Sequence, residues 1–172
     1  MNVAHDPDAV MEQIRKLPVP ETMCGKPVPA DLNGISIGQL IELQECKPEN
    51  VMTKTAEILL GATERQVAYE QAEKVLAFNM HVSRELTKIA ELFKSISIPM
   101  TDLQKKAGYD KLNFGPFAIL DSFALRMGIT DHEEVEKVPW VRIFKCMQMD
   151  AEREICRRRA EEIQMREMQR KK

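Results

Sequence analysis

The stretch TERQVAYEQAEKVLAFNMHVSRELTKIAELFKS, residues 63–95, decides the fold class of this chain. Its apolar positions recur at alternating spacings of three and four, which keeps one stripe of a helix facing a partner. The stripe consists of Ala72, Val75, Asn79, Val82, Leu86, Ile89 and Phe93. We therefore predict one long helix from about Thr63 to Ser95. Asn79 is either a buried amide that fixes helix register or oligomer state or, as we prefer, an amide at the solvent-facing edge of a core helix.

Capping boxes divide the rest of the chain into helices. In this motif a Ser or Thr side chain accepts from the amide three residues later, whose Gln or Glu side chain reaches back. The candidates are Ser36 with Gln39, Thr63 with Gln66, Thr101 with Gln104, and Thr130 with Glu133. Gly61, Gly108 and Gly128 follow helical stretches and can adopt the left-handed conformation that ends a helix. The resulting helices cover about 36–45, 48–60, 101–107, 114–127 and 131–137, and a terminal helix runs from 140 towards Lys172. Helix 114–127 is apolar over much of its circumference and is expected to lie centrally.

Composition agrees with a helical protein. The 172 residues include 7 Gly, 11 Met and 5% aromatics, which favours helices over the turn-rich sheets of a β-sandwich. We predict an all-α single domain of about seven to eight helices, with an N-terminal helical arm and a long C-terminal helix. The arm and a proline-rich linker cover residues 1–34, the helical core 35–156, and a charged helix extension 157–172.

The N-terminal arm is predicted from a proline at a helix start. Asp6 and Pro7 suit an N-cap and first helical residue, and the helix to Leu17 presents Val10 and Ile14 on one side. The segment PVPETMCGKPVPADLNG, residues 18–34, contains four prolines and two glycines, which predicts an extended linker. The arm could therefore dock on its own core or on a neighbouring subunit.

The sequence lacks the local motifs of the familiar enzyme classes. His5, His81 and His132 occur singly, and neither GxxxxGK[ST] nor GxGxxG is present. His132 and its acidic neighbours fit helix capping better than a metal cluster. We predict no catalytic, cofactor or metal-binding residue. The cysteines at 24, 46, 146 and 156 form no CxxC pair and are expected to be reduced in a cytoplasm.

The terminal helix changes character along its length. Trp140, Phe144, Met147, Ala151 and Ile155 form a stripe that should dock its first half on the domain. Residues 151–172 then carry eight basic residues against five Glu, so +3 of charge lies there and −5 in the rest of the chain, which totals −2. The three consecutive arginines 157–159 fan around a helix, and the interleaved Glu residues and lack of aromatics favour a solvated helix with intrahelical ion pairs over a nucleic-acid-binding tail. The thin apolar surface of Cys156, Ala160, Ile163, Met165 and Met168 could dock a partner. Our partner-binding candidates are Val10 and Ile14 on the arm, and Arg157, Arg158, Ile163 and Met168 on this helix.

Two stretches, ISIGQLIELQ and FGPFAILDSFALRMGITDHEEVEKVPWVRIFKCMQMDAERE, resemble tail assembly chaperones of long-tailed bacteriophages, particularly those of phages and prophages of gut Bacteroidetes. The resemblance spans roughly residues 35–165, and the proline-rich N-terminal arm departs from it. It implies a small helical protein of the host-cell cytoplasm, absent from the virion, that binds the tape measure and tail-tube proteins during assembly. It also implies a longer form made by ribosomal frameshifting in many members. Two alternatives remain: a structural virion protein such as a connector or tail-completion ring, and a nucleic-acid-binding regulator. A homo-oligomer is possible, and no membrane partner is expected.

Overall fold

A computed structural model describes Glu12 and residues 16–170, and within this part the protein is all-α with one short hairpin. The strands are β1 (Thr22–Met23) and β2 (Lys26–Pro27); the helices are α1 (Ile37–Gln44), α2 (Val51–Leu60), α3 (Glu64–Ala68), α4 (Ala72–Ser95), α5 (Asp102–Lys106), α6 (Phe117–Met127), α7 (His132–Glu136) and α8 (Trp140–Arg170), with a 3-10 turn at Tyr109–Lys111. The predicted fold class and long terminal helix are confirmed. Val10 and Ile14 of the predicted arm lie outside the described residues.

Three of the four predicted capping boxes are confirmed. The hydroxyls of Ser36, Thr63 and Thr101 accept from the amides of Gln39, Gln66 and Gln104 at 3.2–3.3 Å. The fourth prediction is wrong, because Asp131, not Thr130, is the N-cap of α7. The Asp131 carboxylate accepts the Glu133 N–H at 2.9 Å, since Asp is as good an N-cap as Thr and stands one residue nearer the helix. Gly61 and Gly128 end α2 and α6 in the left-handed conformation, as predicted.

The predicted helix over 63–95 is interrupted at residues 69–71. Glu70 lies in the break, where its carboxylate accepts the Cys24 N–H at 2.7 Å and the Gln71 N–H at 3.1 Å. A contact with the hairpin, 46 residues earlier in the chain, therefore accompanies the end of α3. Helical periodicity cannot detect such a contact, so the single-helix prediction is wrong at this point.

Asn79 joins α4 to α2. Its side chain is half-buried, its amide nitrogen donates to the Val75 carbonyl at 2.9 Å, and its oxygen lies 2.6 Å from the hydroxyl of the buried Thr55. The preferred interpretation, an Asn at the solvent-facing edge, is therefore wrong, because an oriented partner on the neighbouring helix satisfies the amide.

The segment 18–34 is part of the core, and its prediction as a linker is wrong. Cys24 and Gly25, with φ of 51° and 73°, form the two-residue turn between β1 and β2. Met23 and Leu32 are 0% and 1% exposed, and the Trp140 indole N–H donates to the Leu32 carbonyl at 2.7 Å. Prolines prevent this segment from forming a helix, but they do not prevent its side chains from packing.

The start of α8 is the centre of the fold. The Ile37 N–H donates to the Val138 carbonyl at 2.8 Å, so the chain before α8 is bonded to the start of α1. Trp140 and Phe144 are buried against the Phe93 ring, at centroid distances of 6.0 and 5.4 Å. Docking of the first half of α8 is thereby confirmed, whereas Ile155 is already 38% exposed.

Helix α6 lies at the periphery, so its predicted central position is wrong. Leu120, Phe123 and Ala124 are buried, but Phe117 and Leu125 are 55% and 76% exposed. Only one face of α6 meets the core, and the helix packs mainly against the short helix α7. The residues 97–101 after α4 run without a strand.

Candidate protein-binding surfaces

Within Glu12 and residues 16–170, no group of three or more His, Cys, Asp or Glu side chains is arranged to hold a metal ion. His132 faces α6, with its ring 4.9 Å from the Phe117 ring and its Nε2 3.5 Å from Asp121 Oδ1. The four cysteines are free thiols. None of the described helices is long and apolar enough to cross a bilayer.

An open groove of about 800 Å³ lies between α1, α6 and α7, and we call it the acidic groove. Its apolar lining comes from Ile41, Phe114, Pro116, Phe117 and Leu120, and its acidic lining from Glu42, Glu45, Glu133 and Glu136, beside Lys137. Lys54 pairs with Glu42 at 3.0 Å, whereas the other three Glu side chains make no ion pair within the described part of the chain. The groove thus presents exposed aromatic side chains surrounded by net negative charge.

Gly38 fixes the distance between two walls of the groove. A Cβ atom at this position would lie 3.0 Å from the Glu136 Cβ and 3.1 Å from the Glu136 carbonyl oxygen. Only a glycine lets α1 approach α7 this closely without displacement.

A second surface is the segment 100–112, which we call the apolar segment. It contains α5 and the 3-10 turn, and none of its side chains is buried. Its four large apolar side chains are exposed: Met100 by 45%, Leu103 by 77%, Tyr109 by 54% and Leu112 by 56%. They contribute little to the core, so core packing does not account for them.

Two predicted partner-binding residues, Arg157 and Arg158, are engaged within the chain. Both guanidinium groups bind Glu154, at 2.7 and 2.8 Å, and Arg157 also pairs with Glu161. Arg158 donates to the Pro99 carbonyl at 2.8 Å and so holds the connection after α4 against α8. These hydrogen bonds lower the pKa of the Glu154 carboxyl to about 2 and raise the pKa of Arg157. The predicted intrahelical ion pairs are confirmed.

The last part of α8, residues 159–170, which we call the protruding end, exposes all its side chains. The candidates Ile163 and Met168 are 57% and 53% exposed. Arg159, Arg166 and Arg170 share one helix row with Ile163, since the four residues are spaced by four, three and four. None of these arginines makes an ion pair with another described residue. We did not predict this row. The spacing of four, three and four residues after Arg159 would have revealed it from the sequence.

No protein-family model, curated protein sequence or solved structure matches the chain.

Proposed function

We propose that this protein is a non-enzymatic protein-binding module that acts as a tail assembly chaperone of a long-tailed bacteriophage. It works in the host-cell cytoplasm, and its clients are the tape measure and tail-tube proteins. The observation that supports the proposal is the apolar segment, which exposes four large side chains and buries none.

Exposed apolar area of this kind favours aggregation, and a binding role explains why the protein has it. Contiguous apolar patches on a monomer promote aggregation, and those on natural proteins mark interaction sites. An unassembled tail protein offers matching chemistry, because the apolar side chains that it later buries in the tail are still exposed. Covering them with the apolar segment removes both surfaces from water.

The proposal is tested by making the apolar segment polar. In the double variant Leu103→Ser and Leu112→Ser, we expect the co-expressed tape measure protein of the same genome to move from the soluble fraction to the pellet. Both side chains are more than half exposed, so the melting temperature should stay within a few degrees of the original. The control is Leu125→Ser, at a leucine that is 76% exposed on α6, which should leave the client soluble. Equal client solubility with the double variant and the control would contradict the proposal.

Purified phage particles distinguish a chaperone from a permanent virion component. A chaperone is absent from finished particles, so mass spectrometry should find tail-tube protein without this chain. Its presence in the particles at a fixed stoichiometry would overturn the chaperone proposal in favour of a connector or tail-completion ring.

A further inference from the structure

We propose that the protruding end of one copy of the protein binds in the acidic groove of a second copy, so that copies associate head to tail. This inference concerns self-association and does not depend on the proposed client. The two surfaces share no residue with the apolar segment.

The charges of the two surfaces are complementary. Glu45, Glu133 and Glu136 line the groove without an ion pair in the described part of the chain. The protruding end supplies the row of Arg159, Arg166 and Arg170. Opposed patches of this kind steer association and select the partner.

The apolar chemistry of the two surfaces also matches. Phe114 and Phe117 in the groove are 68% and 55% exposed, and Ile163 lies in the middle of the arginine row at 57% exposure. An amphipathic helix in an apolar groove buries such side chains while its charged residues meet the rim.

Geometry excludes the protruding end of the same copy. The groove lies at the start of α8, because Ser36 lines it and pairs with Pro139. Arg159 lies 19 residues after Trp140 in one continuous helix, which places it about 28 Å from that start at about 1.5 Å per residue. A continuous helix cannot fold back over this distance, so an occupant from this helix must come from a second copy.

Charge also disfavours the N-terminal segment of the chain as the occupant. Residues 1–16 carry three acidic against two basic side chains, a net charge of −1. The protruding end, residues 159–170, carries three basic against three acidic side chains, and Lys171 and Lys172 bring the net charge of residues 159–172 to +2. An acidic groove attracts the second segment and repels the first.

The contact is heterologous, because it joins two different surfaces. A dimer formed in this way still has one free groove and one free protruding end, so association continues until a ring closes or a filament forms. We therefore expect assemblies larger than a dimer as the protein concentration rises.

Charge reversal on each surface of the full-length protein tests the proposal by sedimentation velocity. The groove variant is Glu45→Lys with Glu136→Lys, and the end variant is Arg159→Glu with Arg166→Glu. Glu45 caps the end of α1 and Glu136 is the last residue of α7, so a lysine at either position also suits the helix dipole. Each variant alone should remain monomeric, with an association constant lower by roughly a hundredfold. Their circular dichroism and melting temperatures should match the original.

Mixing the two variants provides the decisive measurement, because lysines in one groove then meet glutamates on the other end. We expect the mixture to regain masses beyond a dimer. The matched control, Glu21→Lys with Glu91→Lys, reverses two exposed acids outside the groove and should assemble like the original protein. A monomeric original protein at every concentration would overturn the proposal and leave the groove to residues 1–16 or to a client. The proposal would also be overturned if the charge-reversal variants assemble like the original protein, if their mixture stays monomeric, or if the control variant also dissociates.

Discussion

At the scale of single residues, the structure explains side chains and glycines whose sequence context is ambiguous. Gly38 lies inside α1, where a glycine costs up to about 1 kcal/mol relative to alanine. The close approach of Glu136 explains why a glycine occupies this position, because an added methyl group would meet both the Cβ and the backbone oxygen of Glu136. The tertiary structure likewise explains Asn79, since its hydrogen-bond partner Thr55 lies on another helix.

Gly38→Ala should lower the free energy of unfolding by about 1–2 kcal/mol, because the clash with the Glu136 backbone outweighs the gain in helix propensity. Urea denaturation followed by circular dichroism measures the change. The matched control is Gly34→Ala, where an added Cβ has no neighbour within 4 Å and should leave stability nearly unchanged. Equal stabilities of the two variants would contradict the close packing of α1 on α7.

At the scale of the elements, α8 consists of a docked first half and a protruding end. Trp140, Ile143 and Phe144 are buried, whereas every side chain from Arg159 to Arg170 is exposed. Glu154 lies between these parts and binds Arg157 and Arg158. Because Arg158 also binds the Pro99 carbonyl, this cluster connects helix stability to the position of the chain after α4.

Acid should weaken this cluster in a predictable pH range. The pKa of Glu154 is about 2 in the folded protein against an ordinary value of 4.5, because the two guanidinium groups favour its ionised form. The stabilising contribution is therefore fully present above pH 4.5 and is lost as the pH falls from 4.5 towards 2. The variant Glu154→Gln should show less helical circular dichroism and faster amide exchange at residues 150–165 at neutral pH. Its difference from the original protein should disappear by about pH 2, and a difference that persists there would contradict this origin.

At the scale of the whole molecule, the hairpin segment and the helices form one core. Met23 has no exposed surface, and the Trp140 indole binds the Leu32 carbonyl across 108 residues of sequence. Trp140 is the single tryptophan of the chain, so its fluorescence reports on the place where residues 18–34 meet the helices.

Met23→Ala should lower the free energy of unfolding of the whole protein by about 2–5 kcal/mol, because it leaves a cavity in this shared core. Trp140 fluorescence and circular dichroism at 222 nm should show the same shifted transition in urea. Val19→Ala, at a position 42% exposed, is the control and should change stability by less than about 0.5 kcal/mol. A fluorescence transition at a lower urea concentration than the circular dichroism transition would contradict a single cooperative core.

The apolar and polar pattern of the sequence by itself determined the fold class, the positions of most helices and the nature of the terminal helix. These features depend on interactions within a few residues, such as the Ser36 and Thr101 capping boxes and the Arg157 ion pairs. Glu70, Asn79 and Met23 could not be placed this way, because their partners lie far away in sequence.

The candidate surfaces likewise divide into one that the sequence reveals and one that only the tertiary structure reveals. Helical spacing is sufficient to find exposed Ile163 and the arginine row. The partner-binding role of Arg157 and Arg158 stays a prediction, and both of their guanidinium groups bind Glu154. The acidic groove draws its lining from residues 36–45, 114–120 and 133–137, and the contact between Gly38 and Glu136 fixes two of its walls. Only the tertiary structure decided this surface, because packing brings together side chains that the chain keeps up to about 100 residues apart.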